Sequence, residues 1–187
     1  MIKRAFDLAL ALTLLPVLFL PLLVLAILVK AGSSGPVFYW SDRVGYDNQI
    51  FKMPKFRSMK IDAPTVATHL LRNPDHFLTR SGRFLRRYSL DELPQLWCIL
   101  NGDMSFVGPR PALFNQYDLI NARTALGVNQ LLPGLTGWAQ INGRDELSIE
   151  KKVTFDFEYL KNQSIFFDLQ IILLTIIRAL TGKGVSH

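Results

Sequence analysis

The sequence has one cysteine, Cys98, and three histidines, His69, His76 and His187, whose spacing suits no metal site. A single thiol closes no intrachain disulfide and builds no cysteine cluster, so neither a disulfide framework nor structural zinc holds this fold. Cys98 lies in Leu96-Trp97-Cys98-Ile99-Leu100, an apolar setting that marks it as a buried structural thiol. Also missing are a Walker lysine motif, a dinucleotide-type glycine fingerprint, an internal repeat, a heptad array and any low-complexity tract. These absences argue against P-loop chemistry, Rossmann-type cofactors, solenoids and coiled coils. Acidic residues are the scarcer charge. The 15 Asp and Glu against 21 Lys and Arg leave the chain at +6, a balance that favours phosphates as partners, in lipid headgroups, nucleotides or nucleic acid. A length of 187 residues gives room for one domain with a real core.

The most conspicuous segment present is apolar. From Ala5 to Val29 the only charge is Asp7, and Lys3, Arg4 and Lys30 bound the run. It is too long for a signal peptide and lacks a small-residue cleavage motif, so it is expected to be retained. As a straight helix it reaches about 38 Å, against a hydrocarbon core of about 30 Å, which allows a single-pass span. Pro16 and Pro21 favour a bend, and basic residues at both ends favour one cytoplasmic side for both. Sequence physics leaves the span and a re-entrant hairpin both open. Asp7, one turn after Lys3 and Arg4, reads as interfacial and paired with them.

Beyond a turn-rich linker at Ala31 to Pro36, Val37 to Trp40 and Gln49 to Met53 predict two strands of a hairpin around Gly45-Tyr46-Asp47-Asn48. Between Asp75 and Tyr88, Phe77, Leu78, Phe84, Leu85 and Tyr88 recur at helical spacing, with Arg80, Arg83 and Arg87 on another face. Such a basic face is solvated in a soluble protein; beside a membrane anchor it suits anionic headgroups or a diphosphate. Two further helices are predicted, over Ser148 to Lys161 and over Ile165 to Leu180. The second is apolar on most of its circumference and too short to span, hence a core or interfacial helix with Arg178 and Lys183 near its end.

Chemistry concentrates in Ser89-Leu90-Asp91-Glu92-Leu93-Pro94-Gln95-Leu96-Trp97. Pro94 suits the first turn of a helix, which places Asp91 at or next to the N-cap, where the dipole favours an ionised carboxylate and attracts phosphate. An ionised carboxylate is what attack on phosphorus requires. Asp and Glu are also ordinary helix-starting residues, so context must decide. One context is Gly108-Pro109-Arg110-Pro111, where two prolines hold an arginine suited to phosphate. Another is Pro133 to Arg144, rich in glycine, with Gln140, Asn142 and Arg144 able to reach a nucleotide. A membrane-tethered binding module and an anchored interaction domain are the competing readings.

Together, Lys55-Phe56-Arg57-Ser58-Met59, Ser89 to Leu96, Gly102-Asp103-Met104-Ser105-Phe106, Gly108-Pro109-Arg110-Pro111 and Pro133 to Arg144 resemble the bacterial sugar transferase family. Its monotopic phosphoglycosyl transferases start glycan assembly. The similarity covers nearly the whole chain, in order, including the apolar segment and the terminal Asp156, Tyr159, Asn162, Ser164 and Asp168.

The resemblance implies a ping-pong reaction. Asp91 would attack the sugar-bearing phosphate of a UDP-sugar and release UMP, and polyprenyl phosphate would then accept the phosphosugar. Glu92 would hold Mg²⁺. Lys55, Arg86 and Arg110 would neutralise phosphate, with Gln140, Asn142 and Arg144 as further phosphate-binding candidates. The family's membrane helix breaks at a Ser-Pro pair, where this chain has Leu20-Pro21.

The expected fold is α+β and mainly helical. Residues 1–30 form a re-entrant helix-break-helix with Pro21 at the break, and residues 31–187 form a small cytosolic α/β catalytic domain with interfacial amphipathic helices. The expected location is the cytosolic face of the bacterial inner membrane, with UDP-sugar, polyprenyl phosphate and membrane lipids as partners, a homodimer left open and no nucleic acid. The absence of a large multi-span region resembles small family members that use N-acetylated UDP-sugars. The glycan pathway, whether O-antigen, capsule, exopolysaccharide or glycoprotein, stays open.

Overall fold

The computed structural model describes residues 2–63, 74–143 and 146–181. The fold is mostly helical, with two small sheets and a long apolar N-terminal helix.

Helix α1 (Ile2–Gly32) runs without interruption through Pro16 and Pro21, so no gap in the helix falls at Pro21 as the sequence suggested. It is long and apolar enough to cross a membrane by length and composition. Its environment is one-sided although its sequence is apolar all round. Asp7, Ala11, Leu25 and Val29 are buried, and Leu14, Leu18 and Leu22 are partly buried between them, a stripe with a step of three or four residues. Leu12, Val17, Phe19, Leu20, Val24 and Ile27 face outward and are largely exposed.

Both ends of α1 are docked on the rest of the chain. Arg4 donates through both terminal nitrogens to the Ile99 and Leu100 carbonyls, and Leu25 and Val29 pack with Phe56 and Leu85. Asp7 is not interfacial and does not pair with Lys3 or Arg4. It is fully buried and accepts from Ser105 Oγ at 3.1 Å and from the Phe106 N–H at 3.2 Å. Lys3 instead meets Asp168. Long-range partners took these groups because a buried carboxylate needs donors that the local helix face does not supply.

Strands β1 (Phe38–Val44) and β2 (Ile50–Phe56) form the expected antiparallel hairpin, each longer than anticipated. Asp47 and Asn48 take left-handed φ in the connection, which their short polar side chains tolerate. The two-residue β4 (Ala112–Leu113) joins β1 and gives the order β2-β1-β4. A second sheet pairs β3 (Ser105–Val107) in parallel with β5 (Gly134–Thr136).

The helix expected from Asp75 to Tyr88 is two helices. α2 (Pro74–Phe77) ends where Leu78 bridges Met59, and α3 (Arg80–Arg87) starts afresh with Thr79 Oγ1 accepting from the Gly82 N–H at 2.9 Å. The cap and the cross-chain bridge outweigh continuous helical periodicity. Arg80, Arg83 and Arg87 remain exposed. After α4 (Leu96–Asn101) come α5 (Tyr117–Ala125), α6 (Trp138–Ile141), α7 (Ile149–Asn162) and α8 (Ile165–Thr181). The last two match their expected spans, with Ser148 capping α7. α8 buries Ile171 in the main core and exposes Phe166, Leu169, Leu173 and Ile176. Lys183 lies outside the described residues.

The main core joins Ala11, Met53, Leu96, Ile99, Met104, Phe106, Tyr159 and Ile171, so α1, β2, α4, β3, α7 and α8 share it. Cys98 belongs to this core, 1% exposed. Burial pushes its thiol up to about 12, as its apolar setting implied.

Candidate active site

Asp91 and Glu92 lie in a tight 3₁₀ turn, Leu90–Gln95, that leads directly into α4. Ser89, not Asp91, occupies the cap, with left-handed φ 54° and no side-chain capping bond. Asp91 therefore sits one step inside the turn, and Pro94, lacking an N–H, sits deeper than the first turn. Both carboxylates are buried, Asp91 at 6% and Glu92 at 7% exposure. Burial on the β2 side is what distinguishes the pair from ordinary exposed helix-starting residues.

The two carboxylates differ in their partners. Glu92 Oε1 accepts from Lys55 Nζ at 2.8 Å and from Arg110 Nη2 at 2.8 Å, while Oε2 faces Arg110 Nη1 at 3.4 Å. No hydrogen bond holds the Asp91 carboxylate among the described residues. Burial pushes Asp91 above the usual carboxylate range; Lys55 opposes this most strongly, Glu92 adds to the rise, and Arg86 and Arg110 also oppose it. The helix-start reasoning favoured an ionised acid, and desolvation outweighs that effect here. Burial likewise lowers Lys55, against the attraction of Glu92. The site is a desolvated charge cluster whose balance an incoming phosphate would change.

Each cation is placed by its own stretch of backbone. Lys55 follows from the β2 register, opposite Tyr39. Arg86 comes from α3, where a Cβ on Gly82 would stand 1.9 Å from the Ser58 carbonyl, so only glycine allows α3 this close. That approach lets Arg86 Nε donate to Ser58 Oγ at 3.0 Å. Arg110 follows Gly108, whose Cβ would meet the Leu132 carbonyl oxygen at 2.3 Å. At Gly108 the chain comes close to the backbone leading into β5, and this contact fixes the start of the Pro109-Arg110-Pro111 segment.

The structure thus gathers Asp91, Glu92, Lys55, Arg86 and Arg110. It does not bring Gln140 and Asn142 to them by any hydrogen bond or ion pair among the described residues. Gln140 Nε2 donates to the Leu135 carbonyl at 3.1 Å and Asn142 Nδ2 to the Trp138 carbonyl at 2.8 Å, each within its own segment, while the buried Gln140 Oε1 has no partner among the described residues. Arg144 lies outside the described residues. Sequence reasoning gave no role to Arg123, whose guanidinium donates to the Arg110 carbonyl at 2.8 Å and pairs with Asp156 at 2.7 Å. The spacing of Asp156 within the terminal pattern was its only signal.

For Mg²⁺ the residues present fit. Magnesium takes one or two carboxylates and completes its shell with phosphates and water. Asp91 and Glu92 supply two adjacent carboxylates, and no group of three or more His, Cys, Asp or Glu forms a protein cage among the described residues. Lys55 and Arg110 already place positive charge beside Glu92.

The bacterial sugar transferase family model matches residues 1–182. The sugar transferase EpsL of Bacillus subtilis (strain 168) is 40% identical, over all of this chain and 91% of its own length. The UDP-glucose:undecaprenyl-phosphate glucose-1-phosphate transferase of Escherichia coli (strain K12) is 43% identical over 98% of this chain. The UDP-N-acetylgalactosamine-undecaprenyl-phosphate N-acetylgalactosaminephosphotransferase of Aeromonas hydrophila is 37% identical over 98%. The chain spans 41% and 44% of those last two proteins, less than half of each. A match from the first residue to the last described helix leaves one conclusion: the chain belongs to the bacterial sugar transferase family.

Proposed function

We propose that this chain transfers a phosphosugar from a UDP-sugar to polyprenyl phosphate through a covalent intermediate on Asp91. The observation that carries the reading is the asymmetry of two adjacent buried carboxylates: Glu92 is clamped by Lys55 and Arg110, while Asp91, beside it, has no hydrogen bond among the described residues. One is built as a fixed charge and the other is left for chemistry. The relatives' names support the reaction class, and because their donors differ in the sugar, the shared chemistry is at the UDP diphosphate.

In the first half-reaction an Asp91 carboxylate oxygen attacks the phosphorus that bears the sugar. An O–P bond forms, the diphosphate O–P bond breaks, and its electron pair leaves on the phosphate of UMP. Lys55, Arg86 and Arg110 neutralise the charge that grows on the phosphoryl oxygens. Mg²⁺, when bound through Glu92 with Asp91 adjacent, supplies further neutralisation of the diphosphate. In the second half-reaction an oxygen of polyprenyl phosphate attacks the same phosphorus, and the Asp91 carboxylate leaves regenerated.

The same reading puts α1 in one membrane leaflet with both ends on the cytosolic side of the inner membrane. Its support is the docking of both ends of α1 on one body and the stripe buried along its length; a helix crossing a bilayer would hold the body at one end only. Lys3, Arg4 and Lys30 at the two ends agree with a common basic side. The proline pair is where a re-entrant bend would form.

Detergent-solubilised protein given each of a panel of UDP-sugars with Mg²⁺, and no acceptor, is expected to release UMP with at least one. Asp91→Asn is expected to release none while keeping its fold. Undiminished UMP release by that variant would end the proposal.

A further inference from the structure

Two other arginines hold the backbone that carries Arg110. Arg123 Nη1 donates to the Arg110 carbonyl at 2.8 Å, and Arg43 Nη1 donates to the next carbonyl, that of Pro111, at 3.1 Å. Arg123 stands on α5 and is 9% exposed. Its Nε and Nη2 both reach Asp156 Oδ2 on α7, at 2.9 Å and 2.7 Å, and Asp156 is 1% exposed. A guanidinium offers donors in fixed, divergent directions, so Asp156 sets the plane that aims Nη1 at the Arg110 peptide. Arg110 in turn reaches Glu92 through both terminal nitrogens, an arrangement that a small rotation of its backbone would spoil.

We infer that Arg123, oriented by Asp156, is a positioning residue that holds Arg110 in register with Glu92 and the nucleotide phosphate. The inference rests on the phosphate-transfer reading above. Lysine at 123 keeps the charge but has a single nitrogen, which cannot serve Asp156 and the Arg110 carbonyl in the same geometry.

The test is a double-mutant cycle on UMP binding in the presence of Mg²⁺, using the full chain in detergent, so that inactive variants remain measurable. Arg123→Lys and Arg110→Ala are each expected to weaken UMP by about tenfold, and the double variant to bind no more weakly than Arg110→Ala alone, because residues in one hydrogen-bond network are not additive. Circular dichroism and thermal melting accompany each variant. Should Arg123→Lys fail to fold, Asp156→Asn takes its place in the cycle. Unchanged UMP affinity in the folded variant, or losses that multiply to about a hundredfold in the double variant, would overturn the positioning role. Wild-type protein that neither binds UMP nor releases it from a UDP-sugar would instead remove the functional reading on which this rests.

Discussion

Lys3 and Asp168 meet across 165 positions of sequence, with Lys3 Nζ 2.6 Å from Asp168 Oδ2. The other oxygen of Asp168 accepts from the Tyr159 hydroxyl at 2.6 Å, and that hydroxyl oxygen also lies 3.1 Å from the Val107 carbonyl oxygen. The start of the membrane helix is thereby tied to the first turn of α8. Asp168 is fully buried, so removing its cation leaves an uncompensated charge. Lys3→Met is expected to destabilise the protein by about 3 kcal/mol, read as a lowered thermal midpoint in detergent. An unchanged midpoint would show that the pair contributes nothing to docking of α1.

Glu92 should matter as a fixed charge. Glu92→Gln keeps the shape but releases Lys55 and Arg110 from their shared anchor. UMP release from a UDP-sugar is expected to fall by about a hundredfold, the order seen when one preorganised electrostatic group is lost from a site. A fall of less than threefold would mean that the clamp is dispensable.

Topology can be read with single cysteines in a Cys98→Ser background. Ile2→Cys and Ile61→Cys lie at exposed positions near the start of α1 and beyond β2. In sealed vesicles an impermeant maleimide is expected to label both from the same side. Labelling from opposite sides would establish a single-pass span.

Cys98 itself gives a pH prediction. Its thiol is raised from about 9 to about 12 by burial, with Asp103 adding to the shift. The folded state therefore holds this proton more tightly than the unfolded one. The contribution to stability is complete below about pH 9 and is lost as pH rises through about 12. At pH 8 iodoacetamide is expected to leave Cys98 unmodified until denaturant is added; rapid alkylation of the native protein would contradict its burial.

Much of the fold was legible because local signals agreed with the final packing. The hairpin strands carried aromatic and apolar runs around a Gly-Tyr-Asp-Asn turn, and α7 carried both a Ser148 cap and a regular apolar period. The charged site was legible as motifs: Asp91, Glu92, Lys55, Arg86 and Arg110 do converge. Its electrostatics were not, since the rise in the Asp91 pKa comes from burial that only tertiary packing creates. Asp7 was misread because its partners Ser105 and Phe106 are about a hundred positions away. The three-residue strands β3 and β5 went unseen for a related reason. Their approach depends on Gly108 and Gly134 touching backbone to backbone, which no periodicity encodes. Arg123 had no motif of its own, and only the fold sets it under Arg110.

Peptide mass spectrometry after incubation with a turned-over UDP-sugar and Mg²⁺, without lipid acceptor, addresses the nucleophile directly. The expected result is one phosphosugar added to the peptide containing Asp91, removed when polyprenyl phosphate is supplied and never formed in Asp91→Asn. UMP release with Asp91 unmodified, or an adduct on another residue, would contradict a covalent role for Asp91.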